Sequence, residues 1–370
     1  MPEQMNFINI KPKNAKEKAD FQKIEAAVTA VYQKLQNLDF AKTGLSEYNQ
    51  RYLKEYLDNF TFFARFYTQV LVEALRVLNK PVKNATFVDY GGGSGFFSLL
   101  AKELGFGTVV YNDIYNVSVD DAKLLAKATG IKTDFFIEGD IDILVSELNA
   151  KNIRPDLICS FEVIEHIYKL EDWFKTAAKL NSSFSLVFSS SANSRNPYIT
   201  RRLKKGQIKA EIEGSAKKWG SKKRDTVLPF LQVREEMISE KFPGLGEEII
   251  HKLAIATRGM KKEDIFRAVE IFGETGEVIK PLPHPTNTCD PYTGNWSEHL
   301  IDFKWLKQIM AENGFSDISI KPGLYTWSDN KIVYAFKKFL NVFIRFYGKK
   351  GLILSPIYIL KARKISDFKP

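Results

Sequence analysis

Three side chains close together in the sequence, Glu162, Glu165 and His166, offer two carboxylates and an imidazole at i, i+3 and i+4. On a helix that spacing puts all three on one face. His166 is a candidate general base, since imidazole exchanges protons near neutral pH, and Glu165 stands beside it. Two carboxylates and an imidazole also suit a divalent ion such as Mg²⁺, Mn²⁺ or Zn²⁺. The bland alternative is a histidine that caps its helix or merely orients an acceptor. A second feature lies upstream, in Asp89-Tyr90-Gly91-Gly92-Gly93-Ser94-Gly95. Glycines there let a ligand approach the backbone, and a helix opening at Phe96 presents unpaired N–H groups. The alternative is a tight turn with no ligand.

The elements that must position these groups form a regular alternation. Strand 85–88 leads through the glycine turn to helix 96–104, and strand 107–111 to helix 119–128. Strand 134–137 precedes helix 143–150, strand 156–161 feeds helix 163–168, and helix 170–180 precedes strand 184–189. Repeated β-α units imply a parallel sheet with helices on both faces and ligands outside the carboxyl ends of the strands. A dinucleotide fingerprint is excluded, because Gly-x-Gly-x-x-Gly laid on Gly91 and Gly93 requires glycine at Phe96.

What stands instead, Asp89-x-Gly91-x-Gly93-x-Gly95, resembles the first motif of class I S-adenosylmethionine (SAM) methyltransferases. The resemblance implies a Rossmann-like α/β fold, a seven-stranded sheet whose last strand is antiparallel. It implies that Asp89 faces the cationic methionine end of SAM and that Tyr90, Gly91, Gly93 and Gly95 line the nucleoside. Asp113, 24 residues on and at the end of the next strand, matches the acid that takes both ribose hydroxyls. Asp140 matches the acceptor for the adenine amino group, with Ile141 presenting backbone and Phe161 completing the pocket. Each acid alone is a common helix cap, but three after three successive strands form a pattern. Glu-x-x-Glu-His resembles ubiquinone-pathway O-methyltransferases and small-RNA 3′-terminal 2′-O-methyltransferases, where these residues hold a metal that grips acceptor hydroxyls. By that resemblance Glu162, Glu165 and His166 are metal ligands, with His299 as the fourth from a looser Glu298-His299-x₃-Phe303-x-Trp305 context.

Composition narrows the classes. A chain of 370 residues, 44% hydrophobic and 26% charged, is globular rather than disordered. Two cysteines, Cys159 and Cys289, make neither a disulfide framework nor a Cys-x-x-Cys zinc site. No signal-peptide pattern opens the chain and no membrane span is present, so a cytoplasmic protein is expected. The net charge of +10 concentrates between Arg201 and Arg224, where ten cations face only Glu211 and Glu213. Such a cluster suits a phosphate-bearing partner, or is simply a solvated basic face.

Helical spacing covers 15–36 and 45–78, read as an N-terminal lid within residues 1–80. Residues 81–200 form the SAM-binding core, 201–290 a basic helical cap with one helical stretch at 233–272, and 291–370 the completion of the sheet. The turn-rich run from His284 to Trp296 is either a substrate-facing loop or a rigid connector. Helix 303–313 ends at Gly314, strand 316–321 comes next, and 352–363 holds the seventh strand. Between them the apolar run 337–347, with basic flanks, is expected to pack within the fold, with weak peripheral membrane contact as the alternative.

These readings converge on SAM-dependent O-methylation of a sugar or other polyol, glycan or nucleotide- or lipid-linked, with or without a divalent metal. RNA 2′-O-methylation, methylation of a small aromatic or quinone, and a catalytically silent SAM-binding subunit are the alternatives.

Overall fold

The structure, a computed structural model, describes residues 6–180, 182–214, 228–280, 282 and 286–365. Lys217, Lys218, Lys222, Lys223 and Arg224 of the basic cluster, and His284, lie outside the described residues. The chain divides into two compact units. One comprises Met1–Ile164, Glu171–Ser191 and Phe303–Pro370, the other Glu165–Leu170 and Ala192–Asp302.

The first unit begins with helices α1 (Ala15–Gln36), α2 (Glu47–Asp58) and α3 (Phe60–Val77). The long helical run expected over 45–78 is therefore two helices. Asn59 leaves helical geometry (φ −122°, ψ 36°), and the chain restarts at Phe60. Next come β1 (Thr86–Tyr90), α4 (Phe96–Glu103), β2 (Thr108–Asp113), α5 (Asn116–Thr129), β3 (Phe135–Glu138), α6 (Ile141–Ala150), β4 (Leu157–Phe161), α7 (Leu170–Ala177) and β5 (Phe184–Ser190). After the second unit's α8 (Pro197–Ile208), α9 (Phe230–Lys241), α10 (Glu247–Ala256) and α11 (Lys262–Thr275), the chain returns as α12 (Phe303–Glu312), β6 (Phe315–Pro322), α13 (Lys331–Tyr347) and β7 (Tyr358–Lys364).

The seven strands run in the order β3-β2-β1-β4-β5-β7-β6. β1 to β5 pair in parallel, and β7 is antiparallel to both β5 and β6. The expected Rossmann-like sheet with an antiparallel last strand is the observed one. Strands covered on both faces must be apolar along their length, and β5 is buried throughout. The order reverses beside β1, so β1 and β4 open the crevice where such sheets take ligands. Ile24, Val28 and Val31 of α1 share a buried cluster with Val70 and Leu71 of α3 and Phe87 of β1. Asp121 of α5 anchors the start of α2, accepting from the Ser46 N–H (2.8 Å) and the Asn49 amide (2.6 Å).

A buried charge cluster ties α3 to the far edge of the sheet. Glu73 pairs with Lys361 of β7, with Arg76 at 2.6 Å and with Lys321 of β6 at 3.5 Å. Burial pushes its carboxyl up, but Lys361, Lys321 and Arg76 prevail and hold it at about 2, against an ordinary 4.5. A depressed carboxylate stabilises the fold above its unfolded pKa, and that contribution fades as pH falls toward the folded value. Glu73→Gln should therefore cost about 3 kcal/mol near neutrality. In denaturant titrations the deficit should shrink below about pH 4.5; a deficit independent of pH would mean the charge is not what stabilises this corner.

Helix α13 departs from expectation. It forms, but within it only Asn341 and Ile344 are buried, and its large apolar residues mostly face outward. The run 337–347, expected to pack within the fold, lies in this helix with most of its apolar side exposed.

In the second unit the single helical stretch expected over 233–272 is three helices. Pro243-Gly-Leu-Gly246 separates the first two, and Gly259, at φ +78°, separates the last two. A Cβ on Gly259 would lie 2.8 Å from the Trp296 ring. The helices enclose their own core of Val233, Met237, Ile238, Ile250, Leu253 and Ile265. Arg234, fully buried, pairs with Glu211 and donates to the Ala254 carbonyl at 2.7 Å, while Thr288 donates to Glu211 at 2.6 Å. Three segments distant in sequence are thereby locked together. The run up to Trp296 is a pinned connector where described: Thr288, Cys289 and Asp290 are buried, and Cys289 bridges to Trp296.

Candidate active site

The glycine turn has the geometry that its residue types allow. Gly91, Gly93 and Gly95 stand at φ +69°, +53° and +82°, where a side chain is strained. A Cβ on Gly91 would strike Val163 at 2.6 Å, and one on Gly95 would crowd Ala122 at 3.0 Å. Gly93 differs: a Cβ there meets nothing within 4 Å. Its left-handed backbone borders open space, as a nucleoside cradle requires. The Gly93 N–H donates to Asp113 Oδ2 (2.9 Å), and the Tyr111 hydroxyl donates to the Gly93 carbonyl (2.6 Å).

Asp113 ends β2 almost fully buried, and its Oδ1 accepts from the Tyr115 N–H at 2.9 Å. The carboxylate is thus held by backbone on either side, and each carboxylate oxygen has two acceptor sites. Asp89 in β1 is buried and accepts from the Ser98 hydroxyl at 2.7 Å. Burial first, and the charge of Asp113 among the lesser causes, push its carboxyl up to about 7. Asp140 opens α6, and its Oδ1 caps the helix through the Asp142 and Ile143 N–H groups at 3.1 and 3.2 Å. Ile141 is buried behind it. Tyr90 lies between these acids, its phenol pushed up by burial and by the charges of Asp140 and Asp113, with its ring edge-on to Trp173. Phe161 stacks on Tyr67 of α3 at 4.2 Å, and the Tyr67 hydroxyl lies 3.3 Å from that of Tyr56.

Three supports escaped the sequence reading. Tyr111 clamps the glycine turn. Asn112 donates to the Ile137 and Gly139 carbonyls (3.1 and 2.9 Å), holding the β3 end beside β2. Tyr67 supplies the face under Phe161. None has a motif of its own, since each acts through a partner distant in sequence.

The helical face expected for Glu162, Glu165 and His166 does not form. Glu162 adopts φ +56°, and only a short 3₁₀ turn, Ile164–His166, comes after it. The cause is local: the Glu162 N–H donates to Ser189 O at 3.0 Å, and its Oε2 accepts from the Ser191 N–H at 3.1 Å. Those bonds prolong the β4 path beyond the strand and delay the turn. Glu162 belongs to the first unit, whereas Glu165 and His166 belong to the second.

Within the second unit Glu165 and His166 gather a partner from far along the chain. Ligand atoms of Glu165, His166 and Glu298 lie within 4.8 Å of one another. Glu165 is fully buried. Glu298 sits at φ +57°, a conformation uncommon outside glycine and concentrated at functional sites. Its Oε2 is buried without a hydrogen-bond partner. Two carboxylates held this close, one with an unsatisfied oxygen, fit a divalent cation, and the mixed oxygen and nitrogen donors suit Mg²⁺, Mn²⁺ or Zn²⁺. His166 Nδ1 lies 2.8 Å from the Trp296 carbonyl. A carbonyl only accepts, so Nδ1 carries the proton and the neutral ring keeps its lone pair at Nε2. Glu298 Oε1 is 3.9 Å from that nitrogen. His299 stands outside the group. Its ring stacks on Trp296 at 4.3 Å, and burial pushes its pKa down to about 4, so it is neutral at physiological pH. Its neighbour Glu298, not His299, lies with Glu165 and His166 in the group. The backbone fixes this arrangement, because the His299 N–H donates to Glu165 O at 3.1 Å and the Trp296 indole to Tyr168 O at 2.9 Å.

Residues 58–235 match the family model for a methyltransferase domain. The match, just under half of the chain, gives residues 58–235 as a methyltransferase domain. The ubiquinone biosynthesis O-methyltransferase of Pelagibacter ubique is 27% identical over 119 residues, which are 32% of this chain and 47% of that protein. The ribosomal protein L11 methyltransferase of Limosilactobacillus fermentum is 30% identical over 129 residues, 32% of this chain and 38% of the relative. The chain thus spans less than half the length of either relative. A solved structure described as a putative SAM-dependent methyltransferase from Listeria monocytogenes aligns over 80% of this chain and 97% of its own, at 15% identity and a TM-score of 0.39. Among the described residues, no helix of the methyltransferase is long and apolar enough to cross a membrane.

Proposed function

We propose that this protein transfers the methyl group of SAM to a hydroxyl oxygen, on an acceptor that presents adjacent hydroxyls such as a sugar or other polyol. The observation that carries the reading is the His166 tautomer, with its Nε2 lone pair beside Glu165 and Glu298. When bound, SAM supplies an electrophilic methyl on a sulfonium centre. The residues divide the remaining work. Asp89 holds the cationic methionine end, Asp113 the ribose hydroxyls and Asp140 the adenine edge, and the left-handed turn at Gly93 admits the nucleoside. His166 takes the acceptor's hydroxyl proton at Nε2, while the Trp296 carbonyl holds Nδ1–H and stabilises the ring as it becomes cationic. Methyl transfer then forms one O–CH₃ bond and breaks one S–CH₃ bond, leaving S-adenosylhomocysteine and the proton on His166.

Where a divalent ion is bound, Glu165, Glu298 and the same Nε2 of His166 would hold it, and the ion would acidify and orient a pair of adjacent hydroxyls in place of His166 acting as base. The curated names of several relatives, ubiquinone biosynthesis O-methyltransferases, favour a catechol-like aromatic as the second acceptor class. Exposed Arg201, Arg202 and Lys205 on α8 suit a phosphate on either acceptor.

Titration of the chelator-treated protein with Mn²⁺, followed by the electron paramagnetic resonance of free ion, tests the site without any acceptor. Glu298→Gln should weaken Mn²⁺ binding on the order of a hundredfold. Wild-type protein that leaves all Mn²⁺ free would eliminate the ion and leave His166 as the base. Radiolabelled methyl transfer to matched panels of sugars, catechols and RNA then identifies the acceptor class.

A further inference from the structure

Helix α13 presents a surface that neither the SAM pocket nor the acceptor chemistry uses. Tyr334, Lys337 and Asn341 tie one side to the protein: the Tyr334 hydroxyl accepts from Arg65 (2.9 Å), Lys337 donates to Trp327 O (2.9 Å), and Asn341 exchanges two hydrogen bonds with the Tyr325 backbone (2.8 and 2.9 Å). The opposite side is a row of large apolar groups. Ile332 is 82% exposed, Phe336 58%, Phe339 56% and Phe346 80%. At 100° per residue these four fall within about a quarter of the helix circumference. They are neighbours on one ridge, and the exposed Val342 lies beside it. Isolated exposed apolar residues are ordinary, whereas a contiguous aromatic ridge marks a binding surface.

Charge identifies the occupant. From Lys331 to Leu354 the chain holds six cations, Lys331, Lys337, Lys338, Arg345, Lys349 and Lys350, and no acid. All except Lys337 are exposed. Lys331 and Lys338 flank one side of the ridge by helical position, Arg345 donates to the Asn9 carbonyl, and Lys349 and Lys350 extend the positive field past the ridge's end, where Ile353 is again exposed. A second copy of the chain is a poor fit, because a two-fold pairing of this face would oppose two acid-free basic rims. An anionic bilayer satisfies both halves. The phenyl groups enter the acyl boundary, and the lysine stems reach back to the phosphates.

We infer that α13 is a peripheral docking helix that lies in the plane of an anionic membrane surface, with the Ile332-Phe336-Phe339-Phe346 ridge inserted. The inference is independent of the acceptor reading, since it involves no residue assigned to SAM, the ion or proton transfer.

The test is co-sedimentation of the full chain with large vesicles, either of pure phosphatidylcholine or of equimolar phosphatidylcholine and phosphatidylglycerol. Wild-type protein should sediment with the anionic vesicles and remain in the supernatant with the neutral ones. Phe336→Ser/Phe339→Ser/Phe346→Ser should abolish sedimentation while leaving the melting temperature and S-adenosylhomocysteine binding unchanged, since all three side chains are exposed. Lys331→Gln/Lys349→Gln/Lys350→Gln should weaken partition on the order of a hundredfold, about fivefold for each cation near the surface. Wild-type protein that ignores both vesicle types overturns the inference, as does sedimentation unaffected by the triple serine change. Concentration-dependent self-association that the serine change abolishes, without vesicle binding, would assign the ridge to a second copy instead.

Discussion

Asp113→Ala should lower the affinity for S-adenosylhomocysteine by two to four orders of magnitude in calorimetric titration. Two hydrogen bonds to a charged acceptor, each about 1.5–3 kcal/mol, are lost from a buried site that water refills poorly. The loss has a second source within the protein. Asp113 Oδ2 holds the Gly93 N–H, so its removal also releases the turn that borders the nucleoside space. Binding should depend on pH through a different residue. Asp89 is held at about 7 in the ligand-free fold, well above its ordinary 3.8, and a cationic amino group requires it ionised. Affinity should therefore fall about tenfold per unit below pH 7 and level off above it. The sign for stability is opposite. A raised carboxylate takes up a proton on folding between its two pKa values, so the empty protein loses stability as pH rises from 3.8 toward 7. Asp89→Asn should erase the pH dependence of binding together with most of the affinity. A binding curve flat in pH for the wild-type protein would mean that Asp89 does not meet the ligand's charge.

His166→Ala should leave S-adenosylhomocysteine binding intact and cut methyl transfer by about 10²- to 10⁴-fold, the usual contribution of a positioned general base. His166→Gln distinguishes orientation from proton transfer, because its amide can still donate to the Trp296 carbonyl but cannot take a proton at the outer position. The two variants should be equally impaired. Recovery of turnover in the glutamine variant would make His166 a positioning residue. A rise of kcat/KM with pH in the wild-type protein should vanish in both variants.

The sheet was legible because parallel strands covered on both faces are apolar throughout and a glycine turn punctuates the first of them. Asp89 and Asp113 were legible for the same reason, since each lies at the end of a strand whose limits the alternation defines. The turn beyond Phe161 was not legible. Helical spacing of Glu162, Glu165 and His166 is a local signal, whereas the left-handed turn at Glu162 is set by the backbone of Ser189 and Ser191. Glu298 escaped for a similar reason. Nothing in its vicinity marks it until the chain near Trp296 returns beside His166, and the histidine next to it was the more conspicuous residue. For α13 the apolar run 337–347 was legible, but composition does not say whether the fold has anything to place against it.

The link from His166 to Trp296 spans 130 positions, and most of the second unit lies between its ends. In the proposed reaction the reacting groups lie at the two ends of that excursion, in the turn after β4 and beside Trp296, while α9, α10 and α11 between them have a core of their own. Closing a chain loop costs only about 0.6 kcal/mol more for each doubling of its length. The α9–α11 part of that stretch is therefore thermodynamically almost free to lengthen or shorten, whereas α7 and β5 in the same span belong to the first unit. Recognition of new acceptors can evolve here by replacing a cassette, with the reacting groups left where they are.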